Sequence, residues 1–434
     1  MRSIRIGLLG CGTVGSGVLT ILSRNRELLA KRVGANLDVV RVAIRDLHKQ
    51  RAVALPESML TSDVLSVATA DDVDIVCELM GGIDASREAV LAALRAGKHV
   101  VTANKALLAK HGPELFACAA KEKRQLVYEA SVGASIPIIR TLQEGFVAEN
   151  MAGLYGIING TTNFILSAMT DRGEEFSKVL EEAQRLGYAE ADPTFDIEGV
   201  DSIQKMAILA TLAYGAHFNY EDALCEGITG ITAADIGFAE RFGYKIKLIA
   251  LARMEGERLD LRAHPVMLPA TAQLAQVHGV FNALYLDGDN VGPALLYGQG
   301  AGSLPTASAV IGDIAAVARD IVAEAKLPDT RYTIEEVTRI ELLPADDIIS
   351  SYYVRLSVPD RPGILGQTAT IIGSHGISLA SVLQEEQEDD TSVPLVIMTH
   401  AAREGNLRAA LREIESEGCS LVPATFIRII QNLA

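Results

Sequence analysis

The sequence has few of the patterns that mark metal-dependent, secreted or membrane proteins. Its five cysteines include no C-x-x-C pair, and its eight histidines form no H-E-x-x-H motif, so a zinc site is not expected. An odd number of scattered thiols with mostly apolar neighbours indicates buried, reduced cysteine. No segment approaches the roughly 18 apolar residues of a membrane span. The N-terminal apolar run is short and interrupted by glycines, which argues against a signal peptide.

Positive charge is also scarce. Lys and Arg number 39 against 55 Asp and Glu, a formal net charge of −16. Binding to nucleic acid requires clustered cations, so no nucleic-acid partner is expected. A chain of 434 residues is long enough for two or three domains. These properties fit a soluble, acidic, cytoplasmic enzyme.

A glycine-rich loop follows the first apolar segment. Residues 4–10 form an apolar run, residues 13–30 have helical periodicity, and G-x-G-x-x-G lies between them. This context is typical of dinucleotide binding, because the loop and the helix N-terminus together hold a pyrophosphate. A merely flexible turn is the alternative. The residues expected to contact the cofactor here are Gly10, Gly12, Thr13, Val14 and Gly15.

The second predicted strand ends at a basic residue. Arg45 stands where an NAD-specific site has an acid that binds the ribose, and a basic group suits the additional phosphate of NADP. Asp46 follows it, and Lys49 and Arg51 add positive charge. The pattern favours NADP, with NAD possible. The alternative is that Arg45 is only a surface charge.

Strands and helices then alternate along the first third of the chain. Strand-like segments such as "VDIVCEL" and "KHVVT" are separated by amphipathic helical segments. This alternation predicts an α/β fold with a Rossmann-type, doubly wound parallel sheet. Ligands bind beyond the carboxyl ends of such strands, where Lys105 and Glu129 fall. Lys105 is therefore a candidate site residue rather than an ordinary charge at a helix start.

An acidic stretch ends in a lysine near the middle of the chain. Five carboxylates lie between positions 190 and 201, and Lys205 follows. Asp201 and Lys205 are four residues apart, so they share one face of the predicted helix. A solvated salt bridge is the common meaning of this spacing. The strongly apolar residues that follow instead indicate that the helix enters a core and that the pair lies at its mouth. A carboxylate there would hold the lysine in place for proton transfer, beside loop acids that can bind an ammonium group.

The stretch from Ala183 to Lys205 resembles the signature of homoserine dehydrogenases. The segments "VTANKALLA", "YEASVGASIPII", "NGTTNFIL" and "GQGAGSLPTASAVIGDI" match that family as well, and the similarity runs along essentially the whole chain. The resemblance implies an NAD(P)-dependent interconversion of L-homoserine and L-aspartate 4-semialdehyde. That reaction is a step in the synthesis of threonine, methionine and isoleucine.

The resemblance also assigns roles to individual residues. It implies that Lys205 donates the proton to the aldehyde oxygen and that Lys105 lies between nicotinamide and substrate. Gly302 is expected to close over the cofactor. The residues implied to bind the amino acid or orient the lysine are Glu190, Asp196 and Asp201.

Members of the family hold a monovalent cation, such as Na⁺, near the residue that matches Glu129. The ligands implied here are backbone oxygens of Val132, Ala134 and Ile136. Position 134 is commonly glycine in that family. A carbonyl ligand does not depend on its side chain, so the alanine weakens this expectation only slightly.

The expected domains follow from these matches. Residues 1–130 and about 298–345 should form the NAD(P)-binding domain, and residues 131–297 an inserted α+β substrate and dimerisation domain. The family expectation is a homo-oligomer, either a dimer or a tetramer. Residues 330–348 are polar and suit a linker.

The C-terminal residues 350–434 have a βαββαβ order of predicted elements, which is ferredoxin-like. The stretch "DRPGIL" resembles ACT regulatory domains, which typically bind amino acids. Threonine is the usual end-product inhibitor of the homoserine dehydrogenase family, so the resemblance implies L-threonine as the effector, bound between Asp360 and Gly376. A structural domain without a ligand is the alternative.

Two other functions remain open at this point. One is a Rossmann reductase of another semialdehyde or hydroxy acid, which leaves the match at 183–205 unexplained. The other is an amino-acid sensor with a relic nucleotide domain, which the intact glycine loop and both lysines argue against.

Overall fold

A computed structural model describes residues 2–47, 53–325, 340–384 and 392–431. The strands are β1 Ser3–Leu9, β2 Asn36–Ala43, β3 Leu60–Thr61, β4 Ile75–Glu78, β5 His99–Thr102, β6 Leu126–Val127, β7 Met151–Ile157, β8 Leu224–Cys225, β9 Tyr244–Glu255, β10 Arg258–Pro269, β11 Phe281–Gly288, β12 Gly292–Gln299, β13 Glu341–Leu342, β14 Ile349–Pro359, β15 Leu379–Gln384, β16 Ser392–Thr399, β17 Ala402–Arg403 and β18 Thr425–Ile429. The helices are α1 Thr13–Arg24, α2 Arg26–Val33, α3 Val64–Ala68, α4 Asp84–Arg95, α5 Lys105–Lys121, α6 Ile138–Arg140, α7 Gly160–Arg172, α8 Phe176–Arg185, α9 Thr194–Ile197, α10 Val200–Tyr214, α11 Ala233–Arg241, α12 Ser303–Val322, α13 Ile364–Ser374 and α14 Glu404–Ser416.

The chain divides into two units. The first consists of Met1–Met151, Gln204–Tyr220 and Asn282–Arg339. The second consists of Ala152–Ile203, Glu221–Phe281 and Ile340–Ala434. The three domain boundaries expected from the sequence stay predictions.

The first unit contains a six-stranded parallel sheet. Its order is β3-β2-β1-β4-β5-β6, so the order reverses between β1 and β4. The predicted doubly wound sheet is confirmed. Because both faces of the sheet are covered, its strands are almost continuously apolar, and Ile6 and Leu8 are fully buried. Ile314 and Val317 of α12 pack into the same core, next to α1 and α2.

The second unit contains a large mixed sheet in the order β7-β9-β10-β18-β14-β16-β15. Strands β9 and β10 form a long antiparallel pair. Strand β18 runs parallel to β10, with Val266 opposite Arg428. The predicted C-terminal βαββαβ unit is present and consists of β14, α13, β15, β16, α14 and β18. Strand β18 lies between β14 and β10, so it connects the strands of this unit to β7, β9 and β10 in one sheet.

Alternation along β14 explains how its two faces are covered. Tyr352 and Val354 face the core shared with α13 and α14. Tyr353 faces the opposite core, shared with α7 and α11. Successive side chains of a strand point to opposite faces, so one strand serves two cores.

Local differences from the sequence prediction have simple causes. The predicted loop after Pro193 contains the short helix α9, since proline is compatible with the start of a helix. The predicted linker contains β13, which pairs with β10. The linker up to residue 339, and the acidic stretch 385–391, lie outside the described residues.

Within the described ranges, none of the helices is long and apolar enough to cross a membrane. All five cysteines lie in these ranges and are free thiols, two of them buried and three partly buried. The same residues contain no group of three or more His, Cys, Asp or Glu side chains that could hold a metal ion.

Candidate active site

The three glycines of the phosphate loop are needed for different reasons. Gly10 has φ +100, and a Cβ there would lie 2.7 Å from the Leu79 carbonyl oxygen. A Cβ on Gly15 would lie 2.5 Å from the Gly10 carbonyl oxygen. A Cβ on Gly12 would have no described atom within 4 Å, so the backbone there is open to a ligand. Helix α1 begins at Thr13, so the N–H groups of the first turn of the helix point towards that space.

Helix α12 contributes to the same loop. The Ser303 hydroxyl donates a hydrogen bond of 2.7 Å to the Thr13 carbonyl oxygen. Gly302 precedes it with φ +124. A Cβ on Gly17 would lie 2.8 Å from the Ser303 carbonyl oxygen, so α1 and α12 meet closely at this point. Gly17 and Ser303 were not among the predicted site residues, although the repeated glycine in "GTVGSG" is a signal for such packing.

Arg45 is exposed and lies two residues beyond the end of β2. Its position at the carboxyl end of the strand next to β1 is the one at which Rossmann sheets bind the adenosine ribose. Lys49 and Arg51, which support the same prediction, lie outside the described residues.

Lys105 is the first residue of α5 and is partly buried. Asn104 caps this helix by accepting a hydrogen bond of 3.1 Å from the Leu107 N–H. The Asn104 amide also donates to the Gly82 carbonyl oxygen at 2.7 Å. The start of α5 is therefore bound to the loop that follows β4.

A buried carboxylate organises that strand edge. Glu78, at the end of β4, is 0% exposed. It accepts hydrogen bonds from the Met80 and Gly81 N–H groups and from the hydroxyls of Ser86 and Thr102. Four donors satisfy a buried anion. Glu78 was not among the predicted site residues, although an acid inside the apolar run "DIVCELM" is a signal for such a role.

Glu129 is buried at the end of β6. Its two carboxylate oxygens accept hydrogen bonds from the Ile139 and Arg140 N–H groups at 2.8 and 2.9 Å. Burial raises its pKa, and the two backbone bonds oppose that shift. Its own N–H donates to Asp313 at 2.8 Å. Burial raises the pKa of Asp313 to about 7, with the Glu129 charge adding to the increase.

The backbone near Glu129 is strained. Gly133 and Ala134 both have positive φ, +71 and +46. The left-handed conformation costs a non-glycine residue about 1–2 kcal/mol. Val132, Ala134 and Ile136 are all buried. Ala134 is strained, and its backbone oxygen is one of those that the resemblance assigns to a cation. Backbone strain of this kind is common in loops that bind a ligand. Carbonyl and carboxylate oxygens are also the donors that a hard monovalent ion prefers.

In the second unit, one amide joins two of the predicted acids. Asn159 Nδ2 donates to Asp196 at 2.8 Å and to Asp201 at 2.9 Å. Thr161 Oγ1 lies 3.2 Å from the other oxygen of Asp196. Asn159 Oδ1 caps α7 by accepting from the Thr162 N–H at 2.9 Å. We call Asn159, Asp196 and Asp201 the acid cluster; the sequence analysis gave Asn159 no role.

The structure does not bring Glu190 into the acid cluster. Glu190 is exposed, and its carbonyl oxygen accepts from the Gln184 side chain at 3.1 Å. Asp201 and Lys205 are 2% and 8% exposed and lie one turn apart in α10. The predicted helix is present. The two side chains are more deeply buried than the predicted position at the mouth of a core.

Comparison with known proteins gives these elements a family. The homoserine dehydrogenase model matches residues 137–315, and the model of the homoserine dehydrogenase NAD-binding domain matches residues 10–129. The ACT domain model matches residues 352–419. A homoserine dehydrogenase of Neisseria gonorrhoeae is 43% identical over 99% of both chains. This chain belongs to the homoserine dehydrogenase family.

Solved homoserine dehydrogenases have the same fold. The Thiobacillus denitrificans enzyme is 43% identical, with a TM-score of 0.93 over 99% of both chains. The Staphylococcus aureus enzyme is 32% identical, with a TM-score of 0.78 over 99% of both chains. A hyperthermophilic archaeal homoserine dehydrogenase in complex with NADPH is 26% identical, with a TM-score of 0.62 over 75% of this chain and 99% of its own.

Family membership confirms the central sequence prediction. The protein is an oxidoreductase of amino-acid biosynthesis, with an NAD(P)-binding domain and a C-terminal ACT domain.

Proposed function

We propose that the protein interconverts L-homoserine and L-aspartate 4-semialdehyde with NADP as its preferred cofactor, on the route to threonine, methionine and isoleucine. The observation that carries the proposal is the buried Asp201–Lys205 pair in α10, with Asp201 held by Asn159. A lysine at 8% exposure is shielded from bulk solvent and can act as a specific proton carrier.

The phosphate loop from Gly10 to Gly15 would hold the dinucleotide, which would supply the hydride chemistry of the reaction. During reduction, negative charge develops on the aldehyde oxygen, and the Lys205 ammonium stabilises that charge and transfers a proton from Nζ. During oxidation, neutral Lys205 accepts the hydroxyl proton. The partly buried ammonium of Lys105 adds positive charge on the nicotinamide side.

The acids hold the amino acid in place. Asp196 and Asp201 are carboxylates joined by one amide, and carboxylates form strong, charge-assisted hydrogen bonds with an ammonium group such as that of the substrate. Asp201 also orients Lys205 from one turn earlier in the helix. Glu190 is exposed and lies outside the acid cluster, so we assign it a smaller share of substrate binding than Asp196 and Asp201.

The assay that tests this function follows nicotinamide absorbance with L-homoserine and either NADP or NAD. We expect homoserine-dependent reduction of both cofactors, with the higher kcat/KM for NADP. L-Malate and D-homoserine serve as controls. Turnover of L-malate without turnover of L-homoserine would favour a hydroxy-acid reductase instead.

The cofactor preference rests on Arg45, the basic residue beyond β2. A guanidinium can bind the 2′-phosphate that only NADP carries. The NADPH in the archaeal relative's structure supports this choice.

We also propose a monovalent cation beside Glu129, bound by the backbone oxygens of Val132, Ala134 and Ile136. The strained Ala134 and the buried Glu129 support it. Titration of Na⁺ and K⁺ into salt-depleted enzyme should raise both activity and thermal stability. Identical melting curves in tetramethylammonium and Na⁺ would contradict the site.

L-Threonine is the proposed effector, bound between Asp360 and Gly376. A cavity of about 330 Å³ lies there, between the end of β14 and the start of α13. Gly363 precedes α13 with φ +92, and the first N–H groups of the helix can bind a carboxylate. Asp360 also lines the cavity and can pair with the amino group.

Deletion of the C-terminal segment is a poor test of this effector, because β18 pairs with β10 and Arg428 binds Glu226 at 2.6 Å. Point variants avoid that damage. Asp360→Ala should raise the threonine concentration for half-inhibition about tenfold or more, as expected for a lost charged contact. Glu417→Ala, an exposed acid after α14, is the control. Unchanged inhibition of Asp360→Ala would contradict the site.

A dimer or tetramer is the proposed assembly. Val291 precedes β12 and Tyr297 lies within it, and they are 52% and 54% exposed. They give the surface at β12 an apolar character. Light scattering should give a multiple of the chain mass, and Tyr297→Glu should lower it.

A further inference from the structure

Lys247 is a buried lysine in β9, in the second unit. It is 2% exposed. Its ammonium donates hydrogen bonds to Asn163 Oδ1 at 3.0 Å, to Ser167 Oγ at 3.2 Å and to the Val277 carbonyl oxygen at 2.7 Å. These three acceptors are all uncharged.

Such a site is costly for a cation. The pKa of Lys247 is lowered to about 7, mainly by burial and to a smaller extent by the charge of Lys245. Asp171 of α7 raises it slightly. His278, in the adjacent loop, has a lowered pKa because of its own burial and the charge of Lys247. An apolar side chain could occupy the position of Lys247 in β9 without the cost of burying a charge. The presence of lysine is therefore best explained by the hydrogen bonds that its ammonium donates.

Those groups belong to a network centred on Asn163. The Asn163 amide donates to the carbonyl oxygens of Val277, Gly279 and Phe281 at 3.2, 2.9 and 3.1 Å. Because its NH₂ group faces these carbonyls, its oxygen must face Lys247. The Gly279 N–H donates to Ser167, which completes a connection between α7, β9 and the loop before β11.

The network is one helical turn away from the acid cluster. The Asn163 N–H donates to the Asn159 carbonyl oxygen at 3.3 Å in the first turn of α7. The Asn159 side chain bonds to Asp196 and Asp201. The position of this first turn therefore determines where the bridging amide stands.

We propose that Lys247 is a positioning residue that fixes the first turn of α7 through Asn163, and thereby holds the Asn159 amide between the two acids. The inference rests on the proposed role of the acid cluster in binding homoserine. Its ammonium binds Asn163, Ser167 and Val277 rather than the acids, so its effect on catalysis passes through the groups it binds, chiefly Asn163 in α7.

The test is Lys247→Met, with Lys245→Met on the same strand as the matched control. Misplacement of a binding group by about 1 Å can cost on the order of 10²-fold in rate, so we expect a loss of about 10- to 100-fold in kcat/KM for L-homoserine. The KM for NADP should change less than about twofold, as expected if α7 alone moves. Lys245→Met should retain its kinetics.

A double-mutant cycle with Asn163→Ser distinguishes positioning from general damage. If Lys247 acts through Asn163, the double variant should lose little more than the worse single variant. Fully additive losses would overturn the proposal. Unchanged homoserine kinetics in Lys247→Met would overturn it as well. If Lys247→Met does not fold, Ser167→Ala, which removes one acceptor, should raise the homoserine KM in the same direction, and an unchanged KM there contradicts the proposal.

Asp196→Asn separates this inference from the proposed function. If that variant keeps its homoserine KM, the acid cluster does not bind substrate, and both proposals fail. If Asp196→Asn raises KM but Lys247→Met does not, only the positioning role of Lys247 fails.

Discussion

The phosphate loop and the acid cluster are built in opposite ways. The phosphate loop depends on close contacts between backbone atoms. Gly10 and Gly15 have no room for a Cβ, and Gly12 leaves space for a ligand. The acid cluster depends on hydrogen bonds between side chains. The amide of Asn159 bonds to two carboxylates that lie 37 and 42 residues further along the chain.

This difference determines which parts of the two sites can be predicted from the sequence. A requirement for glycine is local and has a known spacing, so the pattern from Gly10 to Gly15 predicts its own geometry. A bridging amide depends on where two distant segments meet, and asparagine has many other uses in loops and caps. The acids could be predicted as a group, but the residue that holds them together could not.

The largest expected effect tests the side-chain region. Asn159→Ala removes two hydrogen bonds to carboxylates, each worth about 1.5–3 kcal/mol, so kcat/KM for homoserine should fall at least about 10²-fold. NADPH affinity, measured by fluorescence quenching, should stay the same. Thr232→Ala removes the N-cap of α11 in the same unit and controls for loss of a helix cap. Equal kinetic losses in both variants would contradict the bridging role.

Arg45→Ala tests the cofactor region. Loss of a charge-assisted contact should weaken NADPH by about 1.5–3 kcal/mol, or about 10- to 150-fold, while NADH binding should change little. Arg41→Ala is the matched control, because Arg41 is an exposed arginine of β2 that pairs with Asp72 at 2.6 Å. Titration calorimetry with both cofactors gives the two affinities. Parallel losses for NADPH and NADH would show that Arg45 does not read the 2′-phosphate.

Two glycine variants sharpen the comparison within the phosphate loop. Gly15→Ala forces a Cβ against the Gly10 carbonyl oxygen, and such overpacking typically costs about 1–3 kcal/mol, so the melting temperature should fall by several degrees. Gly12→Ala should leave the melting temperature unchanged and raise the KM for NADP. The same melting temperature for both variants would contradict the different roles of these glycines.

The smallest expected effect is the pH dependence of Lys247. Its pKa is about 7 in the folded protein and 10.5 when unperturbed. Between these values the unfolded chain binds a proton that the folded chain does not, so the folded state gains stability as pH rises. The destabilisation caused by Lys247→Met should therefore be greater at pH 9 than at pH 7. Melting curves of both proteins measure this difference, and a gap that narrows with rising pH would contradict a lowered pKa.

Much of the fold could be predicted because its patterns are local. The alternation of apolar strands with helices indicated the parallel sheet, and the spacing of Asp201 and Lys205 placed both on one helix. Pairing between distant segments carries no comparable signal. Strand β18 lies beside β10, Glu78 accepts from the Thr102 hydroxyl, and Lys247 bonds to Asn163, Ser167 and Val277. Each of these contacts joins residues far apart in the chain.

The most direct test of the account concerns Lys205. Single-turnover reduction of L-aspartate 4-semialdehyde should be measured with Lys205→Ala at saturating NADPH, together with NADPH affinity and the melting temperature. Loss of the general acid should slow the chemical step by about 10²–10⁴-fold while cofactor affinity and folding stay intact. A variant that keeps more than about a tenth of the wild-type rate, well above that range, would contradict Lys205 as the proton donor.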